Sequence, residues 1–154
     1  MTYEMRRKDR ELSEDQAREI IENGKDGVLS TVGTDGYPYG VPVHYACIDG
    51  KICFHSTAGD SRKADNFAHC EHVSFTVLEM DDDIKGRSAI AFGVIEKAPE
   101  QKEAIVSAIV EKFVPEFAWE RAKTGIKSSL PALEAYALSI DCVSGKWIDK
   151  PEGR

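Results

Sequence analysis

The stretch Phe54-His55-Ser56-Thr57-Ala58-Gly59-Asp60-Ser61-Arg62-Lys63-Ala64-Asp65-Asn66 gathers an imidazole, several hydroxyls and two cations into one short span. It opens as a strand end at Ile52 and Phe54 and passes a polar loop around Gly59. It then enters a helix with Asp60 or Ser61 as N-cap and Arg62 and Lys63 in the first turn. The hydroxyls of Ser56, Thr57 and Ser61, the free helix amides and the two cations can each donate a hydrogen bond to an anionic oxygen, which outlines a phosphate site. Cations in a first turn also oppose the helix dipole, and a negative group nearby would rationalise them. A solvated, capped helix start uses the same residues, and residue types alone do not decide between the two.

The totals bound what such a site can serve. A chain of 154 residues fits a single domain able to bury a core. Its net charge of -7 argues against general nucleic-acid binding, which needs a surplus of Lys and Arg. No apolar run approaches the ~20 residues of a membrane span, and the N-terminus lacks the apolar core of a signal peptide, so a cytoplasmic location is the default. Cys47, Cys53, Cys70 and Cys142 form no Cys-x-x-Cys pair and read as reduced thiols. His69-Cys70-Glu71-His72 matches no standard zinc spacing and reads as the polar end of a helix, so no metal is expected.

The elements that must hold the site follow from punctuation and period. Residues 1–12 form a basic arm, Met5-Arg6-Arg7-Lys8-Asp9-Arg10 at its centre, that has no periodicity of its own. Ser13-Glu14-Asp15-Gln16 is a capping box opening a helix with Ala17, Ile20 and Ile21 on one face, stopped at Gly24. An antiparallel meander is predicted next: Gly27 to Val32, a turn at Thr34-Asp35-Gly36, a long strand from Tyr39 to Ile48, a hairpin signal at Asp49-Gly50, and a return from Lys51 to His55. Pro42 cannot donate to a ladder and should face a sheet edge, a bulge or a ligand ring. Val73 to Leu78 is another strand, Asp81-Asp82-Asp83 a solvated loop, and Arg87 to Lys97 a long strand in which Gly93 marks a bend or a close approach. Pro99 starts a helix with Ile105, Ala108, Ile109 and Phe113 on its apolar face, ending before Pro115. A short helix from Glu116 to Lys123, a loop from Thr124 to Pro131 and a last strand from Tyr136 to Val143, with Cys142 on the face of Tyr136, complete the chain. The fold class is mainly β (α+β), an antiparallel barrel with peripheral helices, because closure removes exposed sheet edges.

The order of these parts resembles a known family. Gly36-Tyr37-Pro38-Tyr39, Phe54-His55-Ser56, Ser61-Arg62-Lys63 with Asn66, and Ala91-Phe92-Gly93 together resemble the FMN-binding split barrel of the pyridoxamine 5'-phosphate oxidase-like superfamily. The N-terminal Met5-Arg6-Arg7-Lys8-Asp9-Arg10, Gly27-Val28-Leu29-Ser30 and Ser144-Gly145-Lys146 are similar to its nitroimidazole-resistance flavoprotein branch. The resemblance implies a homodimer with FMN at the subunit interface. Ser61, Arg62 and Lys63 would hold the phosphate, His55, Ser56 and Thr57 would line the flavin, and Val41, Pro42, Val43 and His44 would run along its ring. Ser88 would lie beside the flavin, and Trp147 would approach from the partner chain. His55 would be the catalytic residue, and the simpler role for it is a bond to the ribityl chain or phosphate.

The implied activity is reduction of small aromatic or nitro compounds with electrons from a reduced nicotinamide. A flavin- or haem-binding module without turnover is the second possibility, and a cofactor-free dimeric barrel the third. True oxidases of the superfamily carry additional C-terminal Arg and Trp residues that clamp the substrate phosphate. With only Trp147 in that neighbourhood, oxidation of pyridoxamine phosphate is not expected.

Overall fold

Helix α1 (Glu14–Asn23) forms where the capping box places it, with the Ser13 hydroxyl accepting from the Gln16 amide and the Gln16 side chain accepting from the Ser13 amide. Its buried face is Ala17, Ile20 and Ile21. The computed structural model describes residues 4–81 and 85–148. The acidic loop predicted at Asp81-Asp82-Asp83 therefore lies partly outside the described residues. In the basic arm, a short turn at Lys8–Arg10 leads into β1 (Glu11–Leu12), which orders the arm by pairing with the end of the last strand.

The remaining strands are β2 (Asp26–Val32), β3 (Pro38–His44), β4 (Ala46–Ile48), β5 (Lys51–Thr57), β6 (His72–Met80), β7 (Gly86–Lys97) and β8 (Leu133–Trp147). Every pairing is antiparallel, in the order β3-β2-β6-β7-β8-β5-β4. The two end strands, β3 and β4, are consecutive in sequence and joined at Tyr45, so the sheet curls into a half-barrel. Leu29, Ile52, Phe54, Phe75 and Leu138 fill it, and α1 packs against it.

Tyr45 splits the long strand predicted from Tyr39 to Ile48. Its side chain is fully buried, its hydroxyl donates to the Ile21 carbonyl, and its ring meets Phe75 edge-on at 4.8 Å. The expected three-strand meander is thus two hairpins, β2–β3 and β4–β5, on opposite edges of the sheet. The second hairpin turns at Asp49 (φ 50°) and Gly50 (φ 75°), the positive-φ pair that a tight hairpin requires.

The last strand also departs from simple alternation. Phe92 stands opposite Cys142 and Gly93 opposite Ile140, so Asp141 is an unpaired bulge residue. The extra residue turns Cys142 to the outer face and Val143 towards the core, reversing the predicted facing. Gly93 is required there because a Cβ would lie 1.9 Å from the Ser139 carbonyl oxygen.

Helix α3 (Lys102–Phe113) starts after a turn at Pro99–Gln101 and packs Ile105 and Ile109 on Ala46, Cys53, Ala135 and Ala137, the outer face of β4, β5 and β8. Phe113, expected on its buried face, is instead partly exposed. Helix α4 (Trp119–Lys127) runs into the predicted loop. Among the described residues no helix is long and apolar enough to cross a membrane.

Candidate functional site

Helix α2 (Arg62–His69) is fixed to the barrel by two side chains. Buried Asn66 donates to the Thr31 hydroxyl at 2.7 Å, and Thr31 donates in turn to the Tyr39 carbonyl. Gly33 leaves room for this bridge, since a Cβ there would approach Asn66 Oδ1 to 2.6 Å. Phe67 packs on Tyr136 at 5.0 Å, and Tyr136 stacks on Phe54 at 5.5 Å. The helix start is thereby held beside the end of β5. Ser61 is the N-cap, accepting from the Ala64 amide at 3.2 Å. The first helical bond runs from Asp65 to the Ser61 carbonyl, so the amides of Arg62 and Lys63 lie ahead of the helical ladder.

The two cations are in different states. Arg62 donates to Asp35 Oδ2 at 2.9 Å and lies over the Tyr39 ring at 4.9 Å, so the β2–β3 turn supplies the negative group that its place in a first turn calls for. Lys63 is half-buried and has no hydrogen bond or ion pair among the described residues. Burial lowers its pKa from the ordinary lysine value. A half-buried ammonium without a counter-ion is costly unless an anion joins it.

His55, on β5 opposite Ala135, has a buried Nδ1 with no hydrogen-bond partner among the described residues. Burial is the main cause lowering its pKa, and the nearby His44 and Lys63 lower it further. Orphaned buried imidazole nitrogens are uncommon, and one beside an unpaired lysine suits a polar ligand. Ser56 adjoins it, with a long 3.4 Å bond to the Thr57 carbonyl, and Thr57 is exposed. Glu134, opposite Ser56, accepts from Lys97 and Tyr136, each at 2.7 Å. These partners hold the Glu134 carboxyl below its usual range, Lys97 first.

On β3, Val41 and Val43 pack partly buried on the core, while Pro42 is exposed opposite Val28. Because β3 ends the sheet, its outer edge offers unpaired backbone groups, the edge position that Pro42 calls for. His44 closes β3, with its Nδ1 against Asp26 Oδ1 and its ring 4.2 Å from Phe113. Val41 to His44, His55 to Thr57 and Ser61 to Lys63 therefore belong to one side of the molecule.

Ser88 and Trp147 do not join them within one chain. Ser88 is buried opposite Lys146, and Trp147 pairs with Arg87, whose guanidinium lies 5.9 Å from the indole. His55 is level with Ala135 at the other end of β8, on the order of 35 Å away along the strand at ~3.3 Å per residue. Asp26, Asp35, Tyr39 and Phe113 complete the site's surroundings, and the sequence reading assigns none of them to it. Asp35 reads only as a turn residue, and its partner is 27 positions away.

The site residues fit a phosphate-bearing planar cofactor. Lys63 and the α2 amides suit a dianion, the β3 edge suits a ring with its own donors and acceptors, and His55 Nδ1 lacks a partner.

Comparison with known proteins places this geometry in context. A family model described as pyridoxamine 5'-phosphate oxidase matches residues 13–147. Among solved structures, the chain is similar to the flavocytochrome Anf3 from Azotobacter vinelandii, with a TM-score of 0.77 and 17% identity over 97% of this chain and 74% of that one. It is similar to a candidate 5-nitroimidazole antibiotic resistance protein from Bacteroides thetaiotaomicron, with a TM-score of 0.70 and 15% identity over 89% and 86% of the two chains. A FAD-binding protein from Mesorhizobium loti aligns with a TM-score of 0.66 and 22% identity over 90% and 95%. At these identities the likeness concerns the fold. Comparison with curated proteins finds no significant match.

Proposed function

The chain belongs to the pyridoxamine 5'-phosphate oxidase family, and from that premise we propose that it binds FMN and reduces small aromatic or nitro compounds with electrons from a reduced nicotinamide. The observation that carries the proposal is the pair formed by Lys63 and His55, a half-buried cation and a buried imidazole nitrogen that both lack a partner among the described residues. Likeness to proteins named for flavin binding supports it. When bound, FMN would supply the hydride and electron transfer that side chains cannot.

Each residue then has a task. Lys63, the α2 amides and the Ser61 hydroxyl bind the phosphate, and Arg62 can exchange its exposed Asp35 partner for it at little cost. Val41, Pro42 and Val43 present backbone, not side chains, to the ring edge. His55 Nδ1 bonds the ribityl chain or a ring atom. Ser88 and Trp147 reach a site only across a homodimer, which the exposed apolar residues Val28, Val32, Leu78 and Phe92 on the outer face favour. Dependence on a reduced nicotinamide fits a cytoplasmic setting.

The test is an FMN titration of the wild type and of the Arg62→Ala, Lys63→Ala double variant. Losing two charge-assisted bonds of about 1.5–3 kcal/mol each should weaken binding by roughly a hundredfold or more. Unchanged affinity rejects the phosphate assignment. For the reductase activity, NADPH should bleach the bound flavin and a nitroimidazole should restore its colour. A second reading, a flavin or haem carrier without turnover, is favoured by the likeness to a flavocytochrome. It requires tight cofactor binding with no nicotinamide oxidation above that of free FMN.

A further inference from the structure

The register of β2 and β3 puts Asp26, the first residue of one strand, opposite His44, the last of the other. Asp26 Oδ1 accepts from His44 Nδ1, which fixes the proton on that nitrogen and leaves Nε2 as the open one. Phe113, at the end of α3, packs its ring 4.2 Å from the imidazole at an interplanar angle of 52°. Tautomer and ring orientation are thus set by two contacts from two elements, although the His44 side chain is 63% exposed. A merely solvated histidine at a strand end needs neither contact.

The neighbouring imidazole has the opposite surroundings. Among the described residues His55 Nδ1 is buried without a partner and the ring has no carboxylate partner, and burial, His44 and Lys63 all disfavour its charged form. The β4–β5 register, with Ala46 opposite Cys53, brings the chain at His44 level with His55. The titratable groups that face His44 are Asp26 from β2 and His55 from β5, and Lys63 from α2 faces His55. On α3 the nearest cation, Lys112, is turned to the carbonyls of Glu22 and Gly24.

We propose that His44, oriented by Asp26, is the proton-exchanging group of this pocket, and that His55 is a binding group within it. This deepens, and rests on, the reading of the pocket as a flavin site. Nε2 first takes a proton from solvent, and the resulting imidazolium gives that proton to a basic oxygen of the bound acceptor. The ring reverts to its Nδ1–H tautomer with Asp26 still accepting, and solvent returns the proton to Nε2. His44 is then the catalytic residue, and Asp26 and Phe113 are positioning residues.

Long-range proton–nitrogen NMR of the histidine side chains reads the tautomer directly, with or without flavin. In the wild type, His44 should carry its neutral-form proton on Nδ1. In Asp26→Ala, at an exposed position, the preference should move to Nε2. Phe113→Leu should keep the tautomer and lose the fixed ring orientation. For nitro-compound reduction, Asp26→Ala should lower kcat by roughly a hundredfold, the low end of what a positioned acid contributes, with KM little changed and the pH profile of kcat altered. An Nε2–H tautomer in the wild type, or FMN binding with unaltered tautomer and kcat in Asp26→Ala, overturns this proposal alone. A wild type that binds no FMN overturns it together with the flavin assignment.

Discussion

Lys63 and His55 respond to pH in ways that reveal what they bind. Burial lowers the Lys63 pKa below the ordinary 10.5, so its charge in the free protein fades earlier than that of a surface lysine as pH rises. A bound phosphate, already a dianion above about pH 7, favours the charged form and raises that pKa again. FMN affinity is therefore expected to fall as pH rises from neutral through the lowered range of Lys63, and Lys63→Met should flatten this dependence in a titration series. His55 works on the acid side. Its pKa lies below the ordinary 6.5, so the unfolded chain binds the proton first as pH falls through 6.5. The stability attached to the neutral ring is present above that value and is lost between it and the folded pKa. Denaturant melts of His55→Gln should show a shallower loss of stability across that window. The donors at Ser61, Arg62 and Lys63 were legible in the sequence because a strand end, a glycine loop and a cap are local signals. The partners Asp35 and Asp26 were not, since only the folded hairpin brings them to Arg62 and His44.

The elements that carry these residues turn on Tyr45. As the link between β3 and β4, it lets one chain end one edge of the half-barrel and begin the other, with its hydroxyl tied to the last turn of α1. Tyr45→Phe leaves the ring in place and leaves the Ile21 carbonyl with only the weak Cys47 thiol donor at 3.7 Å, so thermal or denaturant unfolding should report a loss of about 1 kcal/mol. Tyr45→Ala should cost about 3–5 kcal/mol, typical of removing a large aromatic from a core. The sequence disclosed α1, α2 and the Asp49-Gly50 hairpin because each is encoded by neighbouring residues. It concealed the break at Tyr45 because an aromatic in an apolar run is equally at home in a continuous strand. The bulge at Asp141 was hidden for a related reason, since alternation along one strand carries no information about the register of its partner.

At the scale of the whole molecule, the half-barrel leaves an outer sheet face that its own helices do not cover. A groove of about 640 Å³ there is lined by Val32, Pro38, Ile90, Phe92 and Cys142 among others, and Phe92 is 46% exposed. The proposed homodimer would close this face and bring Ser88 and Trp147 of one copy towards the His55 side of the other. Phe92→Glu should therefore yield a monomer in sedimentation velocity while keeping its circular dichroism, and should weaken FMN binding together with dimerisation. A monomeric wild type would remove Ser88 and Trp147 from the site and leave the α2 phosphate grip unaffected.

The central claim is that the unpaired Lys63 and His55 mark a flavin phosphate and ribityl site. Its most direct test is the visible spectrum of the wild-type protein after incubation with FMN and passage through a desalting column, with Arg62→Ala, Lys63→Ala as control. The account predicts that the flavin bands travel with the wild type and are absent from the variant. Flavin absent from both, or retained equally by both, would contradict it.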